Sequence, residues 1–98
     1  MKMENLKKLH PIEKEVSAVS LFKLAEGDCK SIQILKDQVL KEHITKVPAL
    51  LICVIGNVVF ENENGMVENL SSGDYVHIEP MLKHWVSAKE DSQLILLK

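Results

Sequence analysis

Short runs of Val, Ile and Leu, separated by turn residues, fill the chain from about residue 18 onward. Within residues 30–36 the pattern alternates: Ile32 and Ile34 lie on one face, Ser31 and Gln33 on the other. Alternation of this kind is typical of a half-buried strand. The runs recur about every eight to twelve residues, a spacing that indicates an all-β fold.

Eight or nine strands are predicted, with no internal helix, which favours a sandwich or a small barrel. Residues 49–55 are apolar throughout and end at Gly56, so we interpret them as a strand buried on both faces at the centre of the domain. The pair Asn64-Gly65 predicts a hairpin, because it provides the positive φ angles of a tight reversal. The predicted strands are 18–24, 30–36, 39–45, 49–55, 58–61, 66–70, 75–78, 84–88 and 93–98.

The N-terminal residues differ from the rest. They are rich in Lys and Glu, and their apolar spacing predicts a short amphipathic turn or helix interrupted by Pro11. We therefore divide the chain into an N-terminal extension, 1–17, and a β-barrel domain, 18–98. A chain of 98 residues buries only about two-thirds of its unfolded surface, so we expect a homodimer, with the extension as a candidate dimer arm.

Composition narrows the function classes. The chain is 46% hydrophobic and 27% charged, which excludes a disordered or membrane protein, and its net charge of −2 without a basic block argues against a nucleic-acid partner. The two cysteines are too few for a disulfide scaffold or a four-cysteine zinc site. The opening residues lack the apolar run of a secretory signal, so we expect reduced thiols and a cytoplasmic location.

Two ordered motifs flank the predicted hairpin. The first runs His43-x-Thr45-(x3)-Ala49-(x6)-Gly56, and the second, sixteen residues later, runs Gly73-Asp74-(x4)-Glu79-Pro80-(x3)-His84. At these residues the chain resembles the cupin superfamily, specifically the small single-domain cupins, over residues 30–98. The resemblance implies a double-stranded β-helix, a small antiparallel β-barrel of jelly-roll type with a short N-terminal extension.

The resemblance also implies a metal site inside the barrel, where the family holds a divalent transition metal (Zn, Mn, Fe, Ni or Cu) with three histidines and a glutamate. His43 and His84 fall on the first and last of these histidines. Thr45 stands where the family has the second histidine and Ala49 where it has the glutamate, while Met81 replaces a corner glycine. Two imidazoles are only half of a usual shell, so the implied metal site is depleted.

Two other residues are candidates to complete the shell. Cys53 lies four residues beyond Ala49 and so shares its strand face, and His77 precedes His84 on the preceding strand. A set of His43, Cys53, His77 and His84 would suit zinc or copper. The alternative is structural: Cys53 as a small buried hydrophobe and the histidines as hydrogen-bonded strand residues. Thr45, Ala49 and Trp85 complete the predicted pocket, and His10 is interpreted as a surface residue.

Three functions remain open at this point. The first is a small-molecule-binding or sensing cupin with a depleted metal site. The second is a metal-dependent enzyme of dioxygenase or isomerase type that uses His43, His84 and substitute ligands. The third is an interaction module whose barrel supports a dimer surface. No phosphate-binding loop, nucleophile elbow or His-Glu-x-x-His pair points elsewhere.

Overall fold

The fold consists of nine strands in two antiparallel sheets, as described for residues 2–98 by a computed structural model. Three of the strands, β4, β7 and β8, have the predicted bounds, and the others differ by one to three residues at their ends. A single 3₁₀ turn, Leu6–Lys8, precedes them. The strands are β1 (Val16–Leu24), β2 (Gly27–Ile34), β3 (Val39–His43), β4 (Ala49–Ile55), β5 (Asn57–Asn62), β6 (Val67–Ser71), β7 (Tyr75–Ile78), β8 (His84–Ala88) and β9 (Ser92–Leu97).

The larger sheet has the order β1-β2-β9-β4-β7, and the smaller one has the order β3-β8-β5-β6. From β2 onward the chain therefore crosses to the other sheet at each connection except the β5–β6 hairpin, as in a double-stranded β-helix. The inward side chains of both sheets form one apolar core, which includes Ile34, Leu51, Phe60 and Leu94. The all-β class and the jelly-roll architecture are thus confirmed. Over the described residues, no helix has the length and apolar character needed to cross a membrane.

The apolar strand β4 is buried on one face only, so the prediction of burial on both faces was wrong. Ala49, Leu51 and Cys53 point into the core, whereas the alternate residues Leu50 and Ile52 are half-buried on the outer face. The reason is that the smaller sheet covers only the inner face of the larger one. The central strand of the larger sheet is β9, because it lies between β2 and β4.

The N-terminal extension packs against the outer face of the larger sheet through His10. The ring is buried, with Nδ1 2.9 Å from Ser17 Oγ and Nε2 3.0 Å from Ser31 Oγ. Burial lowers the pKa of His10, and the interpretation of this residue as a surface histidine was wrong. The backbone N–H of Leu35 also donates to the Glu15 carbonyl at 2.9 Å. The 3₁₀ turn ends at Lys8, before the His10-Pro11 step. There is therefore no longer helix at this point for Pro11 to interrupt.

The predicted hairpin joins β5 to β6, but its turn differs in detail. Gly65 has a φ of 85°, whereas Asn64 keeps a negative φ. The Asn62 side chain stabilises the reversal instead, since its Oδ1 accepts from the backbone N–H of Asn64 at 2.9 Å and of Met66 at 3.1 Å. One glycine and one Asx turn therefore replace the expected pair of positive φ angles.

Candidate functional site

The two motif histidines meet inside the barrel. His43 ends β3 and His84 begins β8, and because these antiparallel strands are neighbours the two residues are directly paired across the sheet. Their Nε2 atoms lie 3.0 Å apart, with ring centroids at 4.1 Å. His84 is only 2% exposed and stacks on Phe60 at 5.6 Å, while His43 is half-buried. Residues 41 positions apart in the chain thus form one polar pair in an apolar interior.

Backbone carbonyls hold the far side of both rings. His43 Nδ1 lies 3.0 Å from the Lys41 carbonyl oxygen, and His84 Nδ1 lies 3.3 Å from that of Leu82. Carbonyl oxygens only accept, so both contacts require a proton on Nδ1. Two neutral rings of that tautomer would present facing lone pairs on Nε2. A neutral pair therefore leaves one of the three contacts unmade, and only a shared cation allows all three.

The environment disfavours an added proton on His84. Burial lowers the pKa of His84 and the neighbouring His43 ring lowers it further, with a smaller contribution from the Lys98 ammonium, against an opposing effect of the Leu82 carbonyl. The inner histidine is therefore neutral at physiological pH. When both rings are neutral, one donates from Nε2 to the other and loses the hydrogen bond between its own Nδ1 and a backbone carbonyl.

A cavity of about 560 Å³ opens beside His43 at one end of the barrel. Its walls come from the inner faces of β1, β2 and β9 and from β3, and they are largely apolar, with Val16, Ile32, Leu40 and Leu96 among them. No Asp or Glu side chain lies in this lining. The polar groups that face it are His43, Gln38, Lys30, Lys41 and Lys98.

The histidine pair separates this cavity from a smaller one. On the His84 side a recess of about 120 Å³ is lined by Asn62, Glu79 and Leu82, among others. Between the two, the barrel interior around both rings is almost filled, with only about 10 Å³ of free space. A ligand of more than one or two atoms therefore has room beside His43 but none between the two rings.

The other predicted site residues do not join the pair. His77 is exposed on the outer face of β7, since its neighbours Val76 and Ile78 point inward, and its ring lies 6.0 Å from that of Tyr75. Trp85 is on the outer face of β8, where Nε1 donates to Glu61 at 3.0 Å. Alternate side chains of a strand point to opposite faces, so both side chains point away from the apolar core, although His77 also borders the small recess that His84 lines.

Three predicted residues are buried but contribute no second donor cluster. Ala49 and Cys53 point into the apolar core, where burial raises the pKa of the Cys53 thiol and Asp74 adds to the effect. Thr45 is 2% exposed, its Oγ1 has no hydrogen-bond partner, and it borders a different surface depression of about 530 Å³ beside the β1–β2 turn.

The donor set does not fit a resident divalent metal ion. The Nε2 atoms of His43 and His84 converge at a spacing that two neighbouring ligands of one ion would have, about 3 Å for bonds of about 2.1 Å. Across residues 2–98, however, no group of three or more His, Cys, Asp or Glu side chains is arranged to hold a metal. Two imidazoles alone leave half the coordination shell to be supplied from outside the protein. The set of four with Cys53 and His77 is not assembled.

Comparison with known proteins rests on structure. No protein-family model matches the chain, and no curated protein sequence does. Among solved structures, a cupin superfamily protein from Desulfitobacterium hafniense superposes with a TM-score of 0.83 at 12% identity, covering 95% of this chain and 84% of that one. An RmlC-like cupin from Desulfovibrio desulfuricans superposes with a TM-score of 0.82 at 16% identity, covering 99% and 94%. The chain has the cupin fold.

A third likeness is to KdgF from a Halomonas species, with a TM-score of 0.77 at 21% identity over 90% of this chain and 82% of that one. The turns at the motif positions have left-handed backbone conformations. Gly56 and Gly73 have φ of 111° and 93°, and Met81 has a φ of 68°. A non-glycine residue in that region is uncommon and strained.

The lysines of the large cavity were not predicted, although two of them left a signal in the sequence. Lys30 is in phase with Ile32 and Ile34, and Lys98 is in phase with Leu94 and Leu96, so alternation places both on the inner face of the larger sheet. A lysine that continues an inward apolar row marks the end of a core or the rim of a cavity. No local pattern in the sequence predicts that Lys41 lines the cavity.

Proposed function

We propose that this cupin binds a small molecule in the cavity beside His43. The observation that carries the proposal is the cavity itself: about 560 Å³ of largely apolar space whose lining includes the His43 ring. Volumes of about 300–1,000 Å³ with apolar walls and a few polar groups are typical of ligand sites. The cytoplasmic location expected from the sequence suits a metabolite as ligand.

Binding has more support than metal-dependent catalysis. An enzyme of dioxygenase or isomerase type would need donors at positions 45 and 49, where Thr45 lacks a strong donor and Ala49 has none. Of the candidate substitutes, Cys53 lies in the apolar core and His77 borders the small recess beside His84, but across residues 2–98 no group of three such donors is assembled. The hypothesis of an interaction module is favoured by the nearly filled space between His43 and His84, which leaves no room for a ligand there. That hypothesis does not explain the larger cavity.

The test is titration of ¹⁵N-labelled protein with three probes of one chain length: 1-octanol, octanoate and octylammonium. Binding in the cavity predicts saturable amide shifts that centre on its walls, at Ala18, Leu40, His43 and Leu96, with at least one probe. If none of the three gives saturable shifts at these residues up to its solubility limit, the proposal is wrong.

A variant that fills the cavity makes the test specific. Ala18 lies on its β1 wall, so Ala18→Phe should abolish the saturable shifts. The matched control is Val67→Phe, which adds an aromatic ring at an exposed position of β6 outside the cavity lining and should leave the shifts unchanged. Equal loss of binding in both variants would point to a general effect on folding and contradict the assignment of the site.

A further inference from the structure

The charge around the cavity is one-sided. Lys30, Lys41 and Lys98 are on its rim, and no Asp or Glu side chain lines it. The chain as a whole is slightly acidic, with 14 acidic and 12 basic residues, so three lysines without a carboxylate are a local departure from the average. Like charges gathered around one apolar cleft create a positive potential that attracts anions and repels cations.

The lining combines lysines with apolar side chains, so its charged part and its apolar part favour different chemical groups of a ligand. Val16, Ile32 and Leu96 offer no polar partner and would favour a hydrocarbon part of the ligand. Lys30 and Lys98 come from adjacent strands, β2 and β9, and Lys41 comes from β3 on the other side of the opening. The charged groups therefore come from both sheets, and Lys41 and Lys98 are exposed whereas Ile32 and Leu96 are buried.

We infer that the ligand is an amphipathic anion, a carboxylate or similar acid with an apolar body, whose acidic group lies among Lys30, Lys41 and Lys98. The inference rests on the proposed function and specifies its ligand class. The apolar body occupies the space above Ile32 and Leu96.

The three probes separate the ligand class from the site. Octanoate should bind at least about tenfold more tightly than 1-octanol, and octylammonium should bind weakest, because only the carboxylate gains from the lysines. The octanoate affinity should fall as NaCl is raised, and the octanol affinity should not. If octanol binds in the cavity as tightly as octanoate, the proposed function stands and the ligand class is overturned. If no probe binds there, the proposed function itself fails.

Charge removal completes the test. Lys30→Gln with Lys41→Gln should weaken octanoate binding several-fold, because two ammonium groups are removed from the cavity, and should leave octanol binding unaffected. The control, Lys36→Gln, removes an exposed lysine outside the cavity lining and should change neither affinity. An equal effect of Lys36→Gln on octanoate would show that net charge, not the cavity, attracts the anion.

Discussion

Substitutions at Gly56 and Gly73 separate two reasons why replacing a motif glycine by alanine lowers stability: backbone strain and steric clash. Both have a positive φ, 111° and 93°, so an alanine at either position is strained. Their surroundings differ: a Cβ on Gly56 would lie 2.7 Å from Ser92 Cα, whereas a Cβ on Gly73 would meet no atom within 4 Å. Gly56→Ala and Gly73→Ala are therefore a matched pair in which only one substitution meets a steric clash.

The expected magnitudes follow from these contacts. The positive φ costs an alanine about 1–2 kcal/mol at either position. At Gly56 the clash adds about 1–3 kcal/mol, because Ser92 belongs to β9 and its backbone must move. The Ser92 hydroxyl also accepts from the Asn57 N–H at 3.1 Å, and losing that bond costs about 1 kcal/mol. We expect losses of about 3–6 kcal/mol for Gly56→Ala and about 1–2 kcal/mol for Gly73→Ala.

The measurement is the free energy of unfolding from urea denaturation, at one protein concentration for all variants because a dimer makes stability concentration-dependent. A Gly73→Ala loss as large as that of Gly56→Ala would contradict the packing argument and leave backbone strain as the whole cost. A negligible loss at both positions would show that the two turns are not in the described conformation.

Acid should destabilise the fold: burial lowers the pKa of His10, so the unfolded chain binds the proton first and stability is lost as pH falls below about 6.5. In thermal melts across that range, His10→Gln should reduce the slope, and an unchanged slope would mean that His10 is not the group responsible. Cys29 should react with a thiol reagent in the native protein far faster than Cys53, which is fully buried with a raised pKa, and equal rates would contradict that burial. Met81→Gly should stabilise the protein by up to about 1 kcal/mol in urea denaturation, since glycine relieves the positive φ of an exposed residue, and a loss would show that the Met81 side chain contributes packing.

Strand positions could be predicted from the sequence because alternation is a local property. The runs that became β4, β7 and β8 are bounded by turn residues such as Gly56 and the Glu79-Pro80 pair, and their bounds were predicted to the residue. The same alternation, applied to Val76 and Ile78, would also have placed His77 on the outer face. What alternation does not show is the number of layers over a sheet, which is why β4 was expected to be buried on both sides.

The site was predictable only where motif spacing determined it. His43 and His84 were chosen from the motifs, and the structure pairs them; their role toward a metal remains a prediction. His10 could not be placed, because its partners Ser17 and Ser31 reach it only when the N-terminal extension folds back onto the larger sheet. The three lysines that line the cavity could not be predicted together for the same reason. Lys41 approaches Lys30 and Lys98 only when the two sheets pack.

The histidine pair and the core around it explain how the fold tolerates the missing donors. Phe60, Leu51 and their neighbours fill the barrel interior almost completely, so its stability comes from apolar burial and not from an ion. Position 49 can then carry alanine without leaving an unpaired charge, because the side chain packs in the core. What remains polar in the interior is a pair of rings that hydrogen-bond each other and contact backbone carbonyls, with one of these contacts unmade when both rings are neutral. Because the space between the rings is almost filled and His43 also lines the cavity, the geometry favours ligand binding beside His43 over chemistry between the rings.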